Sequence, residues 1–229
     1  MTEQEILIVD DVSKTFQVKA GEVKAVDHAS FAARHGSVTT IVGPSGSGKT
    51  TLLYVIGSLE KPESGRIEVA GRDILAPGAD LVSYRRENIG FVFQFFNLIP
   101  TLTALENVML PMDLDGIPPA EQRRRATELL EKMGVEGRLL KAHPNKMSGG
   151  ENQRVAIARS LANDPDIILA DEPTGNLDTA TGRVVVEILT GLARKEGKCV
   201  LMVTHDESIL EVSDRAFHMT DGILGEIAA

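Results

Sequence analysis

Gly43-Pro44-Ser45-Gly46-Ser47-Gly48-Lys49-Thr50 stands between a strand-like segment, Gly36 to Val42, and a stretch from Lys49 to Gly57 in which Leu52, Leu53 and Ile56 recur at helical spacing. The first flank reads as a strand and the second as a helix, so the glycine-rich run is the turn of a strand-loop-helix unit. The pattern G-x-x-x-x-G-K-[ST] is met in full. Gly46 and Gly48 let backbone N–H groups wrap β- and γ-phosphates at the positive end of a helix, Lys49 adds a point charge, and Thr50 offers a hydroxyl to Mg2+. Gly43, Pro44, Ser45, Ser47 and Thr51 complete the candidate nucleotide-contacting run.

Outward from this loop, Ile6 to Val9 and Arg66 to Val69 read as short strands, with turns at 64–66 and 70–72, which gives a β-rich N-terminal part. Between about 97 and 164 the pattern becomes helical, at Ala104 to Leu110, Pro119 to Met133 and Gly150 to Leu161, broken by Gly and Pro. Strand and helix then alternate: Ile167 to Ala170, Thr179 to Arg194, Cys199 to Val203, Glu207 to Val212, Ala216 to Met219. Alternation of this kind predicts a mainly parallel sheet covered on both faces.

The 229 residues carry 24 Lys+Arg against 33 Asp+Glu, a net charge of -9, and 42% hydrophobic residues, which suits one globular domain and disfavours a global attraction to nucleic acid or anionic lipid. A single cysteine, Cys199, excludes an internal disulfide and Cys-rich zinc folds, fits a reducing compartment, and reads as a buried small residue. The acidic start MTEQEILIVDD lacks the marks of a signal peptide, and no stretch approaches the roughly 18 apolar residues of a spanning helix. The expectation is a soluble, untargeted cytoplasmic chain whose end at Ala229 leaves no room for a C-terminal regulatory domain. Arg123-Arg124-Arg125, set among Glu121 and Glu128, reads as a solvated helix face or an anionic-lipid contact.

Two further segments carry chemistry. Ile167 to Ala170 ends in Asp171-Glu172, and in phosphate-binding sheets ligands sit at the carboxyl ends of strands. Beside a phosphate loop, Asp171 suits Mg2+, and Glu172 suits a general base that polarises an attacking water. Met147-Ser148-Gly149-Gly150-Glu151-Asn152-Gln153-Arg154 opens an amphipathic helix, so Ser148 is an N-cap, an anion site, or both in turn. Spacing alone does not explain two phosphate cradles in one chain.

These motifs, in this order, resemble the nucleotide-binding subunits of ABC transporters over essentially the whole chain. The resemblance implies an α/β fold: a P-loop NTPase with a RecA-like parallel-sheet core and N-terminal antiparallel β subdomain (1–96 and 165–229) and an inserted α-helical subdomain (about 97–164), all one domain, 1–229. It also implies that two copies stack head to tail. Each ATP then lies between the Walker A loop of one, Gly43 to Thr50, and the signature of the other, Ser148, Gly149, Gly150 and Glu151. Ile167 to Glu172 becomes Walker B. Gln94 takes the place of a Q-loop glutamine sensing Mg2+ and the attacking water, and His205 that of a switch histidine at the γ-phosphate. Asp178 falls in the D-loop, and Phe16 takes the place of the adenine-stacking aromatic, the lesser alternative being that it simply covers the N-terminal sheet. The chain departs from the family pattern at Met147, Glu151 and Phe16, where Leu, Gln and Tyr are usual.

Phe91 and Phe93 alternate as on a buried strand. Phe95, Phe96, Leu98 and Ile99 follow in a loop, as subdomain core or as a docking groove; in the family a coupling helix of the membrane permease sits there. The words at 171–178 and 93–100 look like the subgroup of lipoprotein-releasing, macrolide-exporting and FtsE-type ATPases. That implies an exporter or mechanotransmission-type complex (lipoprotein, lipid, peptide or drug) with the ATPase peripheral on the inner face of the membrane. Its rivals are a regulatory ATPase whose partner activates an extracytoplasmic enzyme, and a soluble ABC protein on nucleic acid, against which the acidic balance stands.

Overall fold

The computed structural model describes residues 5–19 and 21–227. Residues 1–4, 228 and 229, on which the expectations about the chain's two ends partly rest, lie outside that range. In chain order the strands are β1 (Glu5–Val18), β2 (Gly21–Arg34), β3 (Val38–Val42), β4 (Ser64–Val69), β5 (Arg72–Asp73), β6 (Ile89–Val92), β7 (Ile167–Asp171), β8 (Cys199–Thr204), β9 (Arg215–Thr220) and β10 (Ile223–Glu226). The α-helices are α1 (Lys49–Ile56), α2 (Leu81–Asn88), α3 (Ala104–Leu114), α4 (Pro119–Lys132), α5 (Gly149–Ser160) and α6 (Thr179–Glu196). The chain gathers into two compact units, Met1–Arg85 with Thr190–Ala229, and Arg86–Leu189. Among the described residues no helix is long and apolar enough to cross a membrane.

In the first unit an antiparallel sheet runs in the order β2-β1-β4-β5. Alternation in β1 and β2 buries Leu7, Val9, Val26, Ala29, Phe31 and Ala33, with Val9 opposite Phe31 and Phe16 opposite Val23. Residues 64–66 begin β4 instead of forming the predicted turn. Gly65 has φ +99°, and a Cβ there would lie 2.5 Å from the Cα of Val12, so its glycine serves the close approach of β1. The same unit holds β3 paired in parallel with β8 and β9, with Ile41 opposite both Val203 and Phe217, and β10 antiparallel to β9. All residues of β3 and β8 are buried, including Cys199, whose thiol burial pushes up to about 12, leaving it unreactive. Glu207–Val212 is a 3-10 turn, not the predicted α-helix, with Asp206 capping it through the Ser208 N–H.

In the second unit β6 and β7 pair in parallel, Ile89 opposite Ile167. Here the strand stops at Val92; Phe91 and Phe93 are half-buried, their rings stacked at 5.2 Å. Val108, Met112, Ala126, Leu130, Val155 and Ile157, from α3, α4 and α5, are fully buried. Gly90 lets α5 lie on β6, because a Cβ would meet the Ser160 carbonyl oxygen at 2.5 Å. Thr103 and Glu106 close a capping box at the start of α3, as Ser148 and Glu151 do for α5. In the arginine run Arg124 pairs with Glu121 and Glu128, whereas Arg125 donates to the Ala162 carbonyl. The run is therefore a solvated face with one inward-turned member.

Candidate nucleotide site

The phosphate loop leaves the end of β3 in the first unit and is braced on both flanks. A Cβ on Gly43 would lie 2.2 Å from the Met219 carbonyl oxygen, and one on Gly48 would lie 1.8 Å from that of Ala25 on β2. The turn between β9 and β10 ties in as well: the Gly222 N–H donates to the Ser47 carbonyl, and the Asp27 N–H to that of Gly222. Gly48, at φ +106°, is the N-cap of α1 and supplies no side-chain cap, and the first turn carries no acidic residue. Helix N–H groups left without such partners form an anion site.

Lys49 is buried and folds over the loop, its Nζ donating to the carbonyls of Gly43 at 2.8 Å and Pro44 at 2.9 Å. Ser47 Oγ is buried with no hydrogen-bond partner, the kind of polar atom a bound phosphate would satisfy. Pro44, Ser45, Gly46 and Thr50 are exposed and Thr51 half-exposed. Phe16 lies on β1, half-buried, with the Lys14 ammonium 4.9 Å from its ring centroid. It faces Val23 on the strand whose Ala25 abuts Gly48, so Phe16 and the loop share one corner of the unit. His205 follows the end of β8, exposed.

The other candidate residues lie in the second unit. Asp171 is buried at the end of β7, and Glu172 follows with φ +46°, a left-handed conformation that residues other than glycine rarely adopt. The Gly175 N–H closes that turn onto the Glu172 carbonyl, and a Cβ on Gly175 would come within 3.0 Å of Gln94 Nε2. Asn176 Nδ2 donates to the Gln94 carbonyl at 2.8 Å. The structure thus joins Glu172 and Gln94 through the segment 172–176.

Ser148 is exposed and holds both halves of its capping box: its Oγ accepts from the Glu151 N–H at 3.2 Å, and its N–H donates to Glu151 Oε2 at 2.7 Å. Those bonds hold the Glu151 carboxyl below its ordinary value, so it stays ionised. Gly150 is buried, and a Cβ there would lie 2.3 Å from Thr181 Cγ2. Asp178 accepts from the Thr181 N–H and hydroxyl, which lowers its pKa. Thr181 therefore touches both the signature glycine and the Asp178 carboxylate.

The four apolar loop residues part company. Phe95 is 72% exposed and Ile99 37%, whereas Phe96 and Leu98 are half-buried. A Cβ on Gly149 would stand 3.8 Å from the tip of the Phe96 ring and 3.3 Å from Leu177 Cδ2, so Phe96 faces inward. Asn107 is fully buried and fastens the loop, accepting from the Ile99 N–H and donating to the carbonyls of Ile99, Leu102 and Thr103. Sequence reasoning passed over Asn107, Arg159, Asn176 and Thr181. A buried Asn inside an amphipathic helix was the only available signal among them.

Three of the oxygen donors, Thr50, Asp171 and Gln94, are hard ligands of the kind Mg2+ accepts. Among the described residues no three His, Cys, Asp or Glu gather as a protein cage, and a Mg2+ shared with substrate phosphates needs none.

A family model described as ABC transporter matches residues 26–175. An ABC transporter ATP-binding protein of Thermotoga maritima is 45% identical over 220 residues, 96% of this chain and 93% of its own. The lipoprotein-releasing system ATP-binding protein LolD of Maricaulis maris is 43% identical over 222 residues, 96% of each chain. Among solved structures, the dimeric ATP-binding cassette MJ0796 in a post-hydrolysis state with ADP and Pi superposes with a TM-score of 0.88 at 39% identity, covering 98% of this chain and 100% of that one. A phosphate loop with an uncapped helix behind it, a strand ending in Asp-Glu, and kinship along nearly the whole length agree, and the chain belongs to the ATP-binding subunits of ABC transporters, the ATPases of that family.

Proposed function

We propose that two copies of this chain close around two ATP and so drive a separate membrane permease. The observation that carries the reading is the presence of two helix starts in one chain that a phosphate can reach. One is α1, with Gly48 as an N-cap without a side-chain cap; the other is α5, whose exposed cap Ser148 would exchange its capping-box bonds with Glu151 for a phosphate. Each needs the other from a second copy to enclose one triphosphate. The dimeric state of the solved relative supports this.

In this mechanism the loop N–H groups and Lys49 bind the β- and γ-phosphates, Lys49 exchanging its bonds to Gly43 and Pro44 for phosphate oxygens. Phe16 stacks on the adenine, and Ser148 and Gly150 of the second copy touch the γ-phosphate, with Gly149 and Glu151 beside them in the same segment. Glu172 takes a proton from the attacking water, while Gln94 and His205 orient that water and the γ-phosphate. Thr50, Asp171 and Gln94 would hold Mg2+, which neutralises phosphate charge when bound. Phe95 and Ile99, the exposed members of the apolar loop, form the permease contact. The LolD kinship supports a lipoprotein- or lipid-exporting complex, with the chain on the inner face of the membrane through its permease.

The test is a Glu172→Gln protein with MgATP. Turnover falls about 10²- to 10⁴-fold with ATP still bound, an ATP-dependent dimer accumulates on gel filtration, and a few-span membrane protein co-purifies in detergent. Hydrolysis at the parent rate removes Glu172 from its role. Recovery of RNA or ribosomes in place of a membrane protein overturns the permease reading.

A further inference from the structure

Phe96 and Asn97 are consecutive residues at φ +60° and +49°, directly after Gln94 and Phe95. Asn tolerates this conformation; a bulky aromatic residue does so rarely, and two in succession need outside support. Within the loop the Phe96 N–H donates to the Phe93 carbonyl and the Asn97 N–H to that of Phe95, which leaves the carbonyls of Phe96 and Asn97 to be satisfied from elsewhere. Both are taken by one side chain. Arg159, in the last turn of α5, donates Nη2 to the Phe96 oxygen at 2.9 Å and Nη1 to the Asn97 oxygen. The planar fork matches two neighbouring carbonyls as an ammonium cannot. Arg159 is half-buried, and both of these bonds run from its guanidinium to backbone carbonyls. Its charge is spent on the loop backbone.

We propose that Arg159 is a positioning residue, which holds the turn at Phe96-Asn97 and thereby sets both the Gln94 side chain and the exposure of Phe95. This rests on the role proposed above for Gln94. The signature helix would then be tied to the loop at both ends: Gly149 packs beside Phe96 at its start, and Arg159 clamps Phe96 and Asn97 from its finish. A push on Phe95 reaches α5 through two contacts 10 residues apart in sequence, 149 and 159.

The test compares the parent with Arg159→Met and Arg159→Lys by amide hydrogen exchange and by steady-state ATP hydrolysis. Exchange at residues 95–99 rises about 10-fold or more in Arg159→Met, and less in Arg159→Lys, while strands β6 and β7 keep their protection. With the loop loosened, kcat falls about 10- to 100-fold and KM for ATP changes less than about twofold, because the phosphate loop itself is untouched. Loop exchange equal to the parent's in both variants overturns the proposal, as does a rise in KM at constant kcat. Arg159→Lys keeps the charge and guards against a Met variant that fails to fold. Should the parent hydrolyse no ATP, the functional reading fails while the exchange comparison still judges the clamp.

Discussion

Gly46 and Gly48 both carry positive φ in the phosphate loop, +80° and +106°, yet they are glycine for different reasons. Around Gly46 a Cβ would meet nothing within 4 Å, so only the backbone conformation resists a side chain. Gly46→Ala should cost about 1–2 kcal/mol and leave nucleotide binding measurable. At Gly48 a Cβ would stand 1.8 Å from the Ala25 carbonyl oxygen, a backbone atom that moves only if β2 moves. Gly48→Ala should therefore lose nucleotide binding altogether and melt several degrees below Gly46→Ala. Titration calorimetry and thermal melts of the pair check this, and equal behaviour of the two would mean that the loop is not braced by β2. Glu172 belongs to the same scale. Its left-handed φ of +46° is backbone strain at the proposed base, kept in place by the Gly175 N–H on its carbonyl.

At the scale of elements, α3 and α5 begin alike, each with a hydroxyl cap and a glutamate three residues on that returns to the cap's N–H. In both boxes that N–H and the cap hydroxyl pull the carboxyl, Glu106 and Glu151, below its ordinary 4.5. A folded pKa below the unfolded one contributes stability that is present above pH 4.5 and lost as pH falls through the lowered folded value. For Glu106, outside the candidate site, Glu106→Gln should melt below the parent at pH 7 by an amount worth less than about 1 kcal/mol, screening being strong at an exposed helix end. The gap narrows as pH falls from 4.5 toward 3; a gap unchanged between pH 7 and pH 3 would show that the carboxylate's charge contributes nothing.

Most elements were legible from pattern: the phosphate loop with its flanks, β3 among them, the three helices of the second unit, and the buried strands β7 and β8 with their apolar runs. The strand β2 was hidden because its buried positions include Ala29 and Ala33, too small to mark alternation, and because a left-handed bulge at His28, opposite one at Asp11, shifts its register. Ser64-Gly65-Arg66 misled because a glycine reads as a turn, where here it admits a neighbouring strand. In the candidate site, the residues named from sequence are those with a motif around them. Arg159, Asn176 and Thr181 act on backbone or on neighbours distant in sequence, and periodicity carries no trace of that.

At the scale of the whole molecule, net charge opposes the association that the proposed function requires. Each copy carries -9, and each brings an ATP that adds negative charge. The attraction is short-ranged, N–H groups and Lys49 against phosphates, whereas the repulsion between two acidic bodies acts over many ångströms. Salt screens the second far more than the first, since the Debye length is about 10 Å at 0.1 M and buried pairs are screened little. The ATP-bound Glu172→Gln dimer should therefore strengthen, by about two- to tenfold in dissociation constant, when NaCl is raised from roughly 30 to 300 mM. Analytical ultracentrifugation at fixed MgATP measures it. A dimer that weakens over this range would mean that complementary charges local to the interface outweigh the net charge.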